Sequence, residues 1–273
     1  MMSNDAYSLS PLSPLMKSIF VLLSCVCLFP FAACAQAPAA TDGGTRQITF
    51  PWPPPQPPAG TGWASFPSPR LDWIGRFEMN LDKLKQGPFD LVFDGDSITD
   101  NWQGPGQEVW KQRYSGLKAV DLGIGGDQVQ HVTWRLQNGS LEGQDPKLIV
   151  VMIGTNNIGQ DPKDVAAGIK MLLGEYEKRC PHAHILLLAV FPRDPSPTSQ
   201  ARNWVNQLNQ IISTYGSDRV TYLDFGAKFL QPDGTLTADM MPDFLHPTAK
   251  GYTIWADAIQ PFVDQYIGKG AAK

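Results

Sequence analysis

The sequence contains little cysteine. Of 273 residues only four are cysteines, and three of these, Cys25, Cys27 and Cys34, lie near the N-terminus. If that segment is removed, Cys180 is left alone, so no internal disulfide can form. No C-x-x-C pair is present, and no set of His, Cys and Asp has the spacing of zinc ligands. We therefore expect no metal or other cofactor, and we expect Cys180 to be a small buried apolar residue.

Clusters of basic residues are also absent. The formal net charge is −4 and the sequence pI is about 5.5. A chain that binds nucleic acid usually concentrates Lys and Arg on one surface, so these features exclude nucleic acid as an expected partner. Long apolar runs are missing too, apart from one near the N-terminus. That run is shorter than the roughly 20 residues that a membrane-spanning helix needs.

The N-terminal run has the pattern of an export signal. Lys17 precedes the apolar stretch, which ends near Ala33, and a small-x-small pattern follows at residues 35–37. We predict a signal peptide over residues 1–37 and export to the periplasm or the medium, with no transmembrane span after cleavage. Cys34 lies in an imperfect lipoprotein box, which leaves lipid anchoring open.

The remaining chain divides by composition. Met16 is an alternative start for the signal. Residues 38–69 are rich in proline and predict an extended linker, which we interpret as a spacer rather than a strap on the domain. Residues 70–268 have the composition of a globular domain, and residues 269–273 form a short tail.

Within the globular part, short apolar runs alternate with helical patterns. Asp127 is a predicted helix cap, and Asp161 followed by Pro162 predicts the start of another helix. Alternating buried strands and helices indicate a parallel sheet covered on both faces. We predict a three-layer α/β/α fold with a flavodoxin-like five-stranded parallel sheet. The predicted strands are 91–93, 119–120, 148–153, 185–190 and 220–223.

Polar residues follow three of these strands. Ser97 comes just after the first, a glycine block at 123–127 follows the second, and 154–157 follows the third. Asp243 and His246 lie in a loop before the last helical pattern. Ligands of such sheets bind at the carboxyl ends of the strands, so these four elements should meet there. Each is common in ordinary turns, but together they predict a hydrolytic site.

The other three histidines fit structural roles better. His131 lies in a helical pattern, and His182 and His184 flank the start of a strand. Strand starts lie at the edge of the sheet opposite to the one where the site is expected. Only His246 combines the expected edge with a carboxylate three residues earlier. A serine hydroxyl needs a base during attack, and a free imidazole has a pKa of about 6.5. These residues therefore favour a Ser-His-Asp hydrolase.

The four polar elements are the blocks Gly95-Asp96-Ser97, Gly123-Ile124-Gly125-Gly126-Asp127, Gly154-Thr155-Asn156-Asn157 and Asp243-Phe244-Leu245-His246. These blocks resemble those of the SGNH (GDSL) hydrolase family. Together with the segments at 131–136 and 138–139, they are most similar to the branch of intracellular platelet-activating-factor acetylhydrolase catalytic subunits. The resemblance covers roughly residues 70–268. It implies a serine esterase with an acyl-enzyme intermediate, and it allows a homodimer because the related subunits pair.

The resemblance also implies roles. Ser97 is the nucleophile, His246 the general base and Asp243 its orienting acid. The expected oxyanion hole consists of the N–H groups of Ser97 and Gly126 and the side-chain amide of Asn156.

In the resembling enzymes, a small acyl pocket is walled by the positions of Ile98, Thr155 and Leu245, so we expect short-chain esters, chiefly acetyl esters of carbohydrates or small lipids. Asp96 is expected to hold its loop by hydrogen bonds rather than to react.

Three alternatives remain at this point. The first is a lysophospholipase or thioesterase that accepts longer acyl chains. The second is a non-catalytic carbohydrate-binding domain on an esterase fold, in which Trp102, Trp110 and Trp134 would stack on sugars. The third is a receiver domain with Asp94 and Asp96 as its acidic pair, although the third strand then lacks the expected phosphoacceptor.

Overall fold

A computed structural model describes residues 55–268 of the chain. The predictions of a signal peptide, of lipid anchoring through Cys34 and of a C-terminal tail fall outside the described residues. Within 55–268, no helix is both long enough and apolar enough to cross a bilayer. Cys180 is buried and its thiol is free, as expected for a small core residue.

The centre of the domain is a five-stranded sheet in the order β2-β1-β3-β4-β5, and every neighbouring pair is parallel. The predicted flavodoxin-like α/β fold is thereby confirmed. In this order β1 has β2 on one side and β3 on the other, which makes the carboxyl ends of β1 and β3 the place where a crevice opens. The strands are β1 Leu91–Gly95, β2 Ala119–Asp121, β3 Leu148–Met152, β4 His184–Leu188 and β5 Val220–Leu223.

Alternate residues of each strand enter two separate cores. Val92 and Ile149 belong to the core on one face of the sheet, whereas Phe93 and Val150 belong to the core on the other. Buried residues of α4, α5 and α6 complete the first core, and those of α3 and α7 complete the second. The helices are α1 Ile74–Leu84, α2 Ser97–Asp100, α3 Gln107–Arg113, α4 Val129–Gln137, α5 Pro162–Arg179, α6 Gln200–Ile212 and α7 Ala249–Tyr266.

One of the two predicted helix starts is correct. The carboxylate of Asp161 accepts the backbone N–H of Lys163 at 2.8 Å, with Pro162 as the first helical residue of α5. The prediction that Asp127 caps α4 was wrong, because the N-cap residue of this helix is Gln128. The Asp127 carboxylate is turned into the protein, where it accepts a hydrogen bond from Arg135 at 2.9 Å.

The end of the Pro-rich segment packs on the domain. A 3₁₀ turn at Trp63–Ser65 lies against α5, and Ala64 is completely buried. A Cβ atom added to Gly168 would lie 2.4 Å from the Ala64 carbonyl oxygen, so glycine permits this close approach. The spacer interpretation is therefore wrong for these residues, which belong to the folded domain.

Candidate active site

The candidate nucleophile is the first residue of a short helix at the end of β1. Asp96 caps this helix, because its carboxylate accepts the backbone N–H of Ile98 at 3.0 Å. The hydroxyl of Tyr252, on α7, donates to the carbonyl oxygen of Ile98 at 2.6 Å. Ser97 is thus held between β1 and α7, and its own side chain remains half-buried.

Asp96 itself is completely buried. Burial raises the pKa of Asp96 to about 7, although the Ile98 N–H and the Arg193 charge oppose that shift. One carboxylate oxygen caps the helix, and the other has no partner among residues 55–268. These contacts agree with the expected holding role for Asp96.

The candidate base and acid reach Ser97 in sequence. The Oγ atom of Ser97 lies 2.9 Å from Nε2 of His246, and Nδ1 of His246 lies 2.6 Å from the Asp243 carboxylate. If Ser97 donates a hydrogen bond to Nε2, then Nδ1 carries the ring proton and donates a hydrogen bond to the Asp243 carboxylate. This is the tautomer that a general base requires.

The Asp243 carboxylate also organises its own loop. Its second oxygen accepts the backbone N–H groups of His246 at 2.8 Å and of Leu245 at 3.1 Å. Partial burial raises the pKa of Asp243, but these bonds and the His246 ring outweigh it, so the net pKa lies below its usual value. The carboxylate is therefore ionised near neutral pH and ready to stabilise an imidazolium.

The expected oxyanion donors come from three elements that meet at the same edge. Gly125 lies beside the nucleophile, since a Cβ atom added there would be 3.9 Å from the Ser97 Cβ. Gly126 has φ +78°, a conformation that favours glycine. The amide of Asn156 donates to the Asp127 carbonyl at 2.9 Å, which ties the third element to the second. In the described part of the chain, the N–H groups of Ser97 and Gly126 have no hydrogen-bond acceptor.

The three residues expected to wall the acyl pocket differ in exposure. Ile98 and Thr155 are each 1 % exposed, and Ile98 belongs to the core between the sheet and α7. Leu245 is half-buried and packs against the same core. Leu245 is thus the member of this group with surface near His246.

A buried ionic cluster lies directly behind the glycine block. The Arg135 guanidinium donates to Asp94 and to Asp127, both at 2.9 Å, and the Tyr176 hydroxyl donates to Asp94 at 2.8 Å. Burial raises the pKa of Asp127 to about 6 against the attraction of Arg135, so Asp127 is ionised at neutral pH. The two carboxylates raise the pKa of Arg135 above its usual value, although burial lowers it. Asp94 is thereby a structural partner of Arg135.

Two further arginines brace the glycine block, and the sequence analysis missed both. Arg70 donates to the Gly125 carbonyl at 2.5 Å, and Arg76 donates at 2.5 Å to Asp100, which accepts the Gly125 N–H at 3.3 Å. Arg70 precedes Gly125 by 55 residues, and isolated arginines carry no motif. Sequence reasoning had no signal from which to find this contact.

The tryptophans proposed as a sugar platform pack in the protein instead. Trp102 is completely buried, with its ring centroid 5.7 Å from that of Phe93. Trp110 also packs on Phe93, at 5.1 Å, and Trp134 packs edge-on to Phe77 at 5.4 Å. The burial of Trp102 takes it out of such a platform, and the half-buried Trp110 and Trp134 each pack on another aromatic ring of the domain, which favours structural roles for all three.

Comparison with known proteins identifies the family. The model of the GDSL-like lipase/acylhydrolase family matches residues 93–254. The chain belongs to this family. This family is the one that the four sequence blocks resemble, and membership makes the chain a carboxylic ester hydrolase.

Curated relatives fall in the branch that the sequence resembles. Platelet-activating factor acetylhydrolase IB subunit alpha1 of Homo sapiens is 36 % identical over 198 residues, which cover 70 % of this chain and 84 % of the relative. Subunit alpha2 of Rattus norvegicus is 38 % identical over 182 residues, covering 66 % and 78 %. A GDSL-like lipase of Bacteroides thetaiotaomicron has the same fold, with TM-score 0.58, 19 % identity and coverage of 70 % and 97 %.

Proposed function

We propose that this GDSL-family hydrolase removes short acyl groups, chiefly acetyl, from small esters, with Ser97, His246 and Asp243 as its triad. The observation that carries the proposal is the continuous series of contacts from Ser97 Oγ to His246 at 2.9 Å and from His246 to Asp243 at 2.6 Å. A hydroxyl in contact with an imidazole that a carboxylate orients is the arrangement that activates a serine.

In the first half of the reaction, Ser97 Oγ attacks the ester carbonyl carbon while His246 takes the hydroxyl proton. The carbonyl oxygen becomes an oxyanion, which the N–H groups of Ser97 and Gly126 and the amide of Asn156 would bind. Each such donor contributes about 3 kcal/mol to the transition state. The oxyanion then collapses and breaks the bond to the alkoxide oxygen, which takes the proton from His246 and leaves as an alcohol. The acyl group remains bonded to Ser97 Oγ as the acyl-enzyme.

In the second half, water replaces the alcohol. His246 takes a proton from the water as it attacks the acyl carbonyl, and the same donors bind the second oxyanion. Collapse of this intermediate releases the carboxylic acid and returns the proton to Ser97 Oγ. The Asp243 carboxylate stays ionised throughout and stabilises the imidazolium each time it forms.

The preference for a short acyl group rests on the residues beside Ser97. Ile98 and Thr155 are almost completely buried, so a long acyl chain on their side would have to displace packed atoms. Leu245 is bulky and lies next to His246 in the chain. The curated relatives are acetylhydrolases by name, which also supports acetyl as the acyl group.

A chain-length series of p-nitrophenyl esters tests the proposal, with Ser97→Ala as the control for background hydrolysis. We expect kcat/KM to be highest for acetate, lower for butyrate and minimal for octanoate. Leu245→Ala should extend the range toward butyrate, because it removes bulk without altering Asp243 or His246. A wild-type preference for octanoate would support the lysophospholipase or thioesterase alternative. If acetate is preferred, acetate release from acetylated glycans and from acetylated lipids would identify the alcohol part of the natural ester.

Export and pairing remain proposals as well. The signal-like segment at 1–37 supports export, and N-terminal sequencing of the protein from the periplasm or medium would test it. A start at residue 38 is expected for simple cleavage, whereas a lipid on Cys34 would indicate anchoring. Light scattering of the purified enzyme would show whether it forms the homodimer that the resemblance allows.

A further inference from the structure

The end of β4 contributes a residue to the site that belongs to none of the four sequence blocks. Arg193 lies in the connection between β4 and α6, five residues after β4 ends. Its Nη1 atom donates to two oxygens of one residue, the carbonyl of Thr155 at 3.0 Å and the hydroxyl at 3.1 Å. Because Thr155 precedes Asn156, Arg193 holds the segment that carries the candidate oxyanion amide.

Peptide geometry makes this contact important for Asn156. The Thr155 carbonyl and the Asn156 N–H belong to one planar trans peptide group. A hydrogen bond that holds the carbonyl therefore also fixes the orientation of the Asn156 backbone N–H. The Asn156 amide donates to the Asp127 carbonyl at 2.9 Å, which leaves its second N–H for an oxyanion. Arg193 and Asp127 therefore restrain Asn156 from its backbone and from its side chain.

The same connection also contacts the loop of the catalytic histidine. The N–H of Asp194 donates to the carbonyl of Phe244 at 3.0 Å, two residues before His246. Asp194 has φ +65° and Phe244 has φ +57°, in a region that residues other than glycine seldom adopt. Two strained residues joined by a hydrogen bond beside an active site indicate a geometry that the surrounding structure imposes.

Arg202 supplies the anchor for this connection. It lies on α6, is 4 % exposed, and donates to three backbone carbonyls. Two of these belong to the connection itself, Arg193 at 3.1 Å and Asp194 at 2.8 Å, and the third is Gly234 at 3.1 Å. Arg202 thus attaches the connection to α6, and hydrogen bonds to Thr155 and Phe244 attach it to the segments that carry Asn156 and His246.

We propose that Arg193 is a positioning residue for ester hydrolysis, which holds Asn156 where its free N–H can bind the oxyanion. The inference rests on the proposed function, because it assigns Asn156 to the oxyanion hole. Arg193 touches neither Ser97 nor His246 in the structure's hydrogen bonds, so its effect would pass through the Thr155–Asn156 peptide.

The test compares Arg193→Met and Arg193→Lys with a matched control, Arg219→Met. Arg219 also donates to backbone carbonyls, including that of Pro181 at 2.7 Å, but it lies at the opposite edge of the sheet. For p-nitrophenyl acetate we expect Arg193→Met to lower kcat by about tenfold to a hundredfold, with little change in KM. Arg193→Lys should recover part of that loss, because its ammonium can still donate to Thr155. Arg219→Met should leave kcat within about twofold of the wild type.

A double-variant cycle with Asn156→Ala shows whether Arg193 acts through Asn156. Asn156→Ala alone should lower kcat by about a hundredfold or more. In that background, Arg193→Met should change kcat by less than about twofold, since the group it positions is already gone. Inactivation by a phosphonate transition-state analogue should slow in parallel with kcat.

Additive losses in the cycle would overturn the inference, as would equal effects of Arg193→Met and Arg219→Met. If Arg193→Met does not fold, Arg193→Lys carries the same cycle. A fully active Ser97→Ala enzyme would instead overturn the proposed function, so the two failures are distinguishable. An Asn156→Ala enzyme with wild-type kcat would overturn both the oxyanion assignment and the role of Arg193.

Discussion

Two charged clusters lie at the same edge of the sheet, and they are built in opposite ways. In the first, Asp243 and His246 keep 54 % and 29 % of their side chains exposed. In the second, Asp94, Asp127 and Arg135 keep 0 %, 2 % and 4 %. In the proposed mechanism, His246 of the first cluster exchanges protons with the substrate and with water, so it needs access to solvent. The second has no such task, and its burial makes it rigid.

This difference in exposure predicts that the first cluster acts on catalysis and the second on stability. A half-exposed pair contributes little to folding, because water screens its charges, but it can stabilise a charge that appears during catalysis. A buried ion pair that loses one partner leaves a charge without solvent or counter-ion, which destabilises the folded state strongly. Variants of the first cluster should therefore change kcat and leave stability intact, and variants of the second should do the reverse.

The largest effect is expected for Asp243→Asn. The amide can keep an oxygen for the N–H groups of Leu245 and His246, but it would present N–H to the imidazole. That reverses the tautomer, and His246 can then no longer accept the Ser97 proton. We expect kcat to fall by about 10⁴-fold with the melting temperature nearly unchanged. A loss below tenfold in steady-state assays would contradict the role assigned to Asp243.

Arg135→Met should produce the largest loss of stability. It leaves Asp94 and Asp127 buried side by side without the two close contacts of Arg135, and the next cation, Arg70, is 4.0 Å from Asp127. We expect the free energy of unfolding to fall by about 3–5 kcal/mol in denaturant titrations. Arg113→Met is the matched control, because its partner Asp257 is 53 % exposed, and it should cost less than about 1 kcal/mol.

A double variant shows whether the lost stability comes from the two buried carboxylates. Adding Asp127→Asn to Arg135→Met removes one of the two buried carboxylates that lose Arg135 and should restore part of the lost stability. Equal costs for Arg135→Met and Arg113→Met would show that burial of the second cluster adds nothing to the cost of losing its cation.

A smaller effect is expected in the pH dependence of stability. Burial raises the pKa of Asp96 to about 7, so between about pH 4 and 7 the folded state holds a proton on Asp96 that the unfolded state has released. Folding stability then decreases as pH rises through this range. Asp96→Asn keeps the helix cap but cannot ionise, so unfolding titrations at several pH values should show a shallower decrease. Some slope should remain, because burial also raises the pKa of Asp121 to about 7. An unchanged slope would mean that Asp96 is ionised in the folded protein.

The smallest effect is expected for His182→Ala. His182 and Asp145 form a second histidine–carboxylate pair, 3.1 Å apart and 77 % and 61 % exposed. The pair lies near the start of β4, at the amino edge of the sheet, and no serine of residues 55–268 is in hydrogen-bond contact with it. We expect kcat and the melting temperature to stay at their wild-type values. A marked loss of kcat would show that the position of His246 at the carboxyl edge is not what distinguishes the two pairs.

Much of the fold could be predicted from the sequence because buried parallel strands are nearly continuous apolar runs. Those runs located all five strands, and the rule that ligands bind at their carboxyl ends led to Ser97, Asn156 and His246. Asp127 was assigned to the wrong role because capping and a buried ion pair use the same carboxylate. The choice depended on Arg135, eight residues away, and on the burial of both side chains.

The supporting residues were harder to predict, for a physical reason. Arg70 and Arg193 act by donating to the backbone carbonyls of Gly125 and Thr155, 55 and 38 residues away. Any residue offers a carbonyl, so such contacts leave no residue-type pattern in the sequence. For Arg193 one signal was present in the sequence, since it lies five residues after the end of β4, at the edge of the sheet where ligands bind.

The assignment of Ser97 as the nucleophile is tested most directly by covalent labelling with an active-site phosphonate, followed by peptide mass spectrometry. We expect one adduct, on the Oγ atom of Ser97, which forms in step with the loss of esterase activity. Ser97→Ala should take up no label, and His246→Ala should take it up far more slowly while remaining folded. Labelling at another residue, or full labelling and activity in Ser97→Ala, would contradict the assignment of Ser97 as the nucleophile.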